Sequence, residues 1–435
     1  MNFRYRGPLA TMPADVRAAL LERSGGDVEK AADAVRALRD EVRTRGDAAL
    51  RDLTKRFDGA TVDTLEVARG EWRAALSGLP REVATALRVA HDNIRRFHEA
   101  QRREALQVEV APGVTAGRRY LPLARAGVYV PGGRAAYPST VLMAVTPAKA
   151  AGVPEVVVCT PPGPDGSVNP LVLAACELAG ADRVFRVGGA QAIFAMAYGT
   201  ASVPRVQRIV GPGNVYVTAA KALVAGHVGI DSPAGPSEIL ILADETADPR
   251  AVAWDLLAQA EHDPQAASVL VTWSRALAEE VERLLPTLVA ETPRRDIVRV
   301  SLAGRGALLL AATAEEAVAF SEAYAPEHLS VQARDAEALL ERLSTYGSAF
   351  LGPWSAVAFG DYCAGPNHVL PTAGLAAAFS GLSVDDFLRR PTHLHVTAEG
   401  AHRLAPAAQT LATAEGLPAH AASVAARLAP REAPR

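Results

Sequence analysis

Four polar clusters hold the side chains in this sequence that could do acid–base or metal chemistry. They are Gln259/Glu261/His262, Glu327/His328, Asp361 with Cys363 and His368, and Glu415 with His420. Gln259 and His262 are three residues apart, so on a helix they share one face and converge on one point. A catalytic zinc takes three or four nitrogen and oxygen ligands and keeps room for substrate. His262, Asp361 and His420, with Gln259 as a neutral oxygen donor, make up such a set. Glu327 and His328 are then free for general acid–base work. Glu261 points off the shared face and is expected to buttress the site from behind. Each of these groups has an ordinary structural use when taken alone, and the clusters lie far apart in the chain, so spacing does not pair them.

The elements that must position them are legible. Residues 230–263 read as a Gly/Pro-rich loop (Ser232 to Ser237), a strand of continuous apolar character from Glu238 to Ala243, and a helix started by Asp248-Pro249. That helix ends in Gln259-Ala-Glu261-His262-Asp263. Glu327-His328 falls at a helix-to-strand transition, and Asp361 to His368 reads as a loop after a strand. From Val153 to Asp231 apolar strand runs (156–159, 184–187, 206–210) alternate with helical runs (170–179, 190–197), the pattern of a parallel sheet with helices on its faces. After residue 263 the alternation resumes, with strands at 268–272, 306–310, 329–331 and 349–351 and helices at 276–285, 315–323 and 335–343. Upstream lies a mostly helical block. Its clearest helix carries Val83, Leu87, Ala90, Ile94 and Phe97 on one face, with His91 and His98 expected at its solvated edge. Residues 106–120 read as a hairpin around Pro112-Gly113. Near 382–388 an amphipathic helix is expected to begin.

Glycine loops follow several strands: Pro131-Gly132-Gly133-Arg134, with a helix starting at Tyr137-Pro138 and capped by Ser139 or Thr140; Gly188-Gly189-Ala190-Gln191; and Gly211-Pro212-Gly213-Asn214. Such loops are settings for an anion such as a pyrophosphate, and ligands of open α/β sheets lie beyond the carboxyl ends of strands. The third small residue of the standard dinucleotide fingerprint is missing, because position 216 is Tyr, although Asp231 stands where the ribose-binding acid would be. Any nucleotide is therefore held in a less usual way.

Net charge is −3, which gives no general pull toward nucleic acid or an anionic membrane. Basic residues are nearly all Arg, with Lys only at 30, 55, 149 and 221. The N-terminus lacks a secretory h-region and no apolar run is long enough for a span. Cys159, Cys176 and Cys363 form no metal-binding or disulfide pattern, which fits a reducing cytoplasm.

The segments IDSPAGPSEILILA…LLAQAEH, GVYVPGGRAAYPS, VGGAQAIFAMAYGT, VGPGNVYVTAAK, AYAPEHL, GDYCAGPNHVLPT and EGLPAHAAS occur in family order and resemble the signatures of L-histidinol dehydrogenases. The resemblance implies oxidation of L-histidinol to L-histidine by two hydride transfers to NAD through an aldehyde, the last step of histidine biosynthesis. It implies one zinc per subunit, held by Gln259, His262, Asp361 and His420. Manganese or cobalt would also suit such a mixed site. It implies catalysis by Glu327 and His328, and substrate contacts from Ser237, His328, His368 and Glu415 besides the metal ligands. Cofactor contacts would come from Tyr129, Gln191 and Asn214. The expected organisation is α/β, with two Rossmann-like parallel-sheet domains and small helical terminal segments. Residues 1–23 form an arm; 24–132 and 238–381 form the first domain, with most of the site; 133–237 form the second. A C-terminal segment, 382–435, is exchanged between the subunits of a homodimer, so that His420 and Glu415 complete the partner's site. Residues 389–396 depart from the family, and His393 and His395 are expected at the surface.

In the expected chemistry a neutral His328 takes the alcohol proton, and Glu327 then activates the water that adds to the aldehyde. Three alternatives compete. A thiol mechanism on Cys363 lacks an adjacent cation to lower its pKa. A zinc hydrolase with Glu327 as base leaves Tyr129, Gln191 and Asn214 idle. A two-domain binding protein has no use for the Glu327–His328 pair.

Overall fold

Six residues from Glu238 to Ala243, five of them apolar, form a fully buried strand within a six-stranded parallel sheet. Its order is Tyr5–Pro8, Ala307–Leu310, Ala267–Thr272, Glu238–Ala243, His328–Gln332, Ser348–Leu351. Alternate residues serve opposite faces. Ile239 and Ile241 pack under helices Pro249–Ala260, Arg275–Glu291 and Arg295–Arg305, while Leu240 and Leu242 pack under Ala314–Tyr324. Burial of each such aliphatic side chain contributes about 1.5–3 kcal/mol, which is why both faces must be covered. A second parallel sheet has the order Arg183–Arg186, Glu155–Thr160, Arg125–Tyr129, Arg208–Val210, Gly229–Ile230. The chain reverses its direction of travel between Arg125–Tyr129 and Arg208–Val210, which opens a crevice at their carboxyl ends.

The computed structural model describes residues 2–23, 26–132, 136–232 and 235–429. Gly133 and Arg134 of the first glycine loop, Pro233 and Ala234 of the Ser232–Ser237 loop, Gly25, and the tail from Pro430 lie outside the described residues. The chain divides into two units: Met1–Gln101 with Leu123–Phe387, and Arg102–Pro122 with Leu388–Arg435. The smaller unit holds the antiparallel sheet Thr392–Val396, Val114–Arg118, Leu106–Ala111, a short pairing of Leu388–Arg389 with Leu121–Pro122, and helices Ala398–Ala414 and Pro418–Leu428.

Several expectations need correction. The helical block before residue 100 and the strand Arg125–Tyr129 join the 133–237 sheet, not the 238–381 sheet. Val35, Val42, Leu50 and Leu53 pack on one of its faces, and Trp72, Leu87 and Ile94 on the other. The hairpin 106–118 belongs with the C-terminal unit, which starts at 388 and not at 382. No helix begins at 382: a 3-10 turn, Val384–Phe387, leads into strand Thr392–Val396, which pairs with the hairpin. His393 and His395 are exposed on that strand, as expected. On helix Arg81–Glu99 it is His98 that is fully buried, its Nδ1 2.8 Å from the carbonyl of Ile94, while Phe97 is half exposed. Helix Pro138–Ala150 is preceded by Tyr137 as N-cap with Pro138 at the first position, so neither Ser139 nor Thr140 caps it. Asp361 lies on a short helix, Val357–Tyr362, where a loop was expected.

Candidate active site

The loop before strand Glu238–Ala243 and the C-terminus of helix Pro249–Ala260 lie at the same end of the sheet, because the helix runs back against the strand. His328 opens the neighbouring strand, in register with Ile239. The acid–base residues thus gather at the amino ends of two central strands. Glu327 is buried, and its Oε2 accepts the Ser237 hydroxyl at 2.7 Å and the Glu238 N–H at 2.8 Å. His328, also buried, has Nδ1 3.1 Å from the carbonyl oxygen of Glu238 and 3.4 Å from Glu327 Oε2. Its Nε2 stands 3.3 Å from Asp361 Oδ1, within ion-pair range but off line for a hydrogen bond, so this buried nitrogen has no aligned partner.

The electrostatics follow from these contacts. Burial works against the imidazolium of His328, but the Glu327 and Asp361 carboxylates outweigh it, and the pKa is raised well above its ordinary value. For Asp361 burial opposes ionisation, yet His328, His368 and His262 together bring its pKa down. Burial lowers that of His368, which sits neutral with Nδ1 2.8 Å from the Asp361 carbonyl oxygen and Nε2 3.5 Å from the Thr140 hydroxyl.

Gln259 is 4% exposed, and its amide nitrogen has no hydrogen-bond partner. His262, in the bend just past the helix end, is exposed. Asp361 and His262 are near enough to interact electrostatically, and a carboxylate, an imidazole and the carbonyl oxygen of a buried glutamine are donor types that suit a zinc ion. Among the described residues no three His, Cys, Asp or Glu side chains of one chain converge on a metal position. Glu415, the cap that ends helix Ala398–Ala414, and His420, in the first turn of Pro418–Leu428, are both exposed on the smaller unit. Cys363 is partly buried and packs against the hydrophobic core, with its carbonyl held by Asn93.

The residues expected to touch a cofactor lie around the crevice of the second sheet. Tyr129 ends strand Arg125–Tyr129, and its hydroxyl accepts the Gly189 N–H at 3.0 Å. Gln191 is buried in the first turn of helix Gly189–Tyr198. Asn214 caps helix Val215–Val224, accepting from the N–H groups of Tyr216 and Val217 at 3.1 and 3.2 Å. Its Oδ1 is thus committed and its amide nitrogen is the group left to offer.

Sequence reasoning missed two supports. Arg23, in the N-terminal arm, is buried and forks onto Glu238 at 2.6 and 2.8 Å while donating to the Tyr324 carbonyl. Glu238 in turn braces Glu327 through its own N–H. Nothing local marks an arginine in an arm as part of a site. The second support is a polar column under helix Pro249–Ala260: Gln332 Nε2 donates to Asp255 at 2.8 Å and to Ser330 at 3.3 Å. The two-residue period of His328, Ser330 and Gln332 was the signal that could have shown it.

The family model described as Histidinol dehydrogenase matches residues 21–428. A histidinol dehydrogenase of Methanothermobacter thermautotrophicus is 52% identical over 409 residues, covering 94% of this chain and 96% of that protein. One from Methanosarcina mazei is 49% identical over 418 residues, covering 95% and 96%. The crystal structure of histidinol dehydrogenase from Elizabethkingia anophelis superposes with a TM-score of 0.93 at 35% identity, covering 98% of each chain. Among the described residues no helix is long and apolar enough to cross a membrane. With a family model spanning most of the chain and relatives near half identical, the hydrolase reading is not favoured. The chain belongs to the histidinol dehydrogenase family, the NAD-dependent, zinc-binding oxidoreductases that oxidise histidinol to histidine in histidine biosynthesis.

Proposed function

We propose that Glu327 and His328 carry the proton transfers by which this chain converts L-histidinol to L-histidine through the aldehyde, in the cytoplasm. The observation that carries this reading is the Ser237–Glu327–His328–Asp361 constellation, with Glu327 and His328 buried at the amino end of a central strand. The base form of His328 accepts the alcohol proton, and the flanking carboxylates strengthen its hold on that proton. Glu327, held by two donors, takes a proton from the water that adds to the aldehyde carbon, giving the singly ionised diol that can release the second hydride. Tyr129, Gln191 and Asn214 would hold NAD, which when bound would supply the acceptor for both hydrides, two molecules serving in succession. Gln259, His262 and Asp361, with His420 of the partner subunit, would hold zinc, which when bound would supply a fixed positive charge for orienting the substrate. His368 and Glu415 of the partner subunit complete the substrate contacts, with His368 kept neutral by burial.

Glu327→Gln tests the division of labour. Loss of a general base costs about 10²- to 10⁴-fold, and the loss is expected in histidinal oxidation. Slowed histidinol oxidation with intact histidinal oxidation would contradict it.

The homodimer with exchanged C-terminal segments makes a separate claim. Co-expressing Glu327→Gln with His420→Ala places both lesions in one site of each mixed dimer and leaves the other site intact. Recovered activity is expected, and none would show that each chain completes its own site.

A further inference from the structure

Asp231 stands where a dinucleotide fingerprint has its ribose-binding acid, yet it faces inward. It pairs with Lys221, and the two side chains are 5% and 4% exposed. Asp231 Oδ2 accepts the Gly211 N–H at 2.7 Å, and Lys221 Nζ donates to the Gly211 carbonyl at 3.0 Å. Both peptide groups of one glycine are thus gripped from two different elements. Gly211 has a φ of +118°, and a Cβ there would stand 2.1 Å from the Tyr129 carbonyl oxygen. Any other residue would push apart the strand ends that form the crevice. Three residues on, Asn214 starts helix Val215–Val224, which carries Lys221. Across the crevice, the Tyr129 hydroxyl holds the helix that carries Gln191. The pair therefore closes a frame that joins Tyr129, Gln191 and Asn214. A buried ion pair is an expensive fastening, since both charges lose their water. What it supplies here is direction: the loop between strand and helix can leave Gly211 in one way only.

We propose that Lys221 and Asp231 are positioning residues for the dinucleotide, fixing loop 211–214 through Gly211 so that Asn214 meets the cofactor. The inference rests on the reading of the crevice as the NAD site.

The test is NAD binding to the full-length protein, by calorimetry and by steady-state kinetics. Lys221→Met alone strands a buried carboxylate, so the informative variant is Lys221→Met with Asp231→Asn, which removes both charges and the donor to the Gly211 carbonyl. The Kd and KM for NAD are expected to rise about tenfold, the effect of one lost hydrogen bond. The KM for histidinol and kcat at saturating NAD should stay within about twofold, since the acid–base residues sit on the other sheet. Lys221→Gln with Asp231→Asn keeps uncharged partners for both peptide groups and should restore NAD affinity to within about threefold. Unchanged NAD affinity in the folded Met/Asn variant overturns the proposal. So does equal weakening in the Gln/Asn variant, or a fall in kcat together with weaker binding of both substrates. Asn214→Ala separates the two claims. If it leaves NAD binding intact while the Met/Asn variant weakens it, the positioning role stands and the Asn214 contact fails. The reverse result rejects the positioning role alone.

Discussion

The Ser237 hydroxyl donates to Glu327 Oε2 at 2.7 Å. A residue expected to touch substrate is thereby tied to the residue expected to act as base. With the Glu238 N–H on the same oxygen, it leaves Glu327 Oε1 as the oxygen free to face a water. Ser237→Ala removes one of the two donors and lets the carboxylate turn. Because a single hydrogen bond to a charged group is worth about 1.5–3 kcal/mol, kcat for histidinal oxidation is expected to fall at least about tenfold. A loss confined to the KM for histidinol would mean that Ser237 contacts substrate only.

Asp255 makes a prediction about stability. Burial raises its pKa to about 6, only partly offset by the hydrogen bond from Gln332. A carboxyl group whose pKa is raised by folding contributes its stability below the unfolded value, near pH 4, and loses it as pH rises through about 6. The wild type should therefore lose up to about 3 kcal/mol between those limits. Asp255→Asn keeps an oxygen to accept from Gln332 and carries no charge. It should be more stable than the wild type at pH 7.5 by about 1–3 kcal/mol and nearly equal to it at pH 4.5. Urea unfolding at the two pH values checks this, and the same difference at both would contradict it.

Much of the fold was legible because buried parallel strands leave continuous apolar runs between turn residues. Strands Glu155–Thr160, Ala267–Thr272 and His328–Gln332 were placed to within two residues in this way. The three-residue spacing of Gln259 and His262 suggested one helix face, but helix Pro249–Ala260 stops short of His262, which lies in the bend beyond it. What could not be read was long-range partnership. The apolar faces of the early helices state that they pack, but not on which sheet, and so Val35 and Leu50 were assigned to the wrong one. Arg23 and Glu238 lie at opposite ends of an arm and a strand with no local mark of their pairing. Asp231 shows the converse error of spacing: it occupies a fingerprint position, but its carboxylate is spent on Lys221 and Gly211. His328 was read from its intrinsic pKa, and the carboxylates of Glu327 and Asp361 that raise it are brought to it only by the fold.

The central claim is tested most directly by following NADH formation at 340 nm with L-histidinol as the only substrate, before chelation, after it, and after zinc is returned. The account predicts two NADH per histidinol consumed, loss of turnover on chelation and recovery with zinc. A zinc-loaded, folded protein that forms no NADH from histidinol would contradict it.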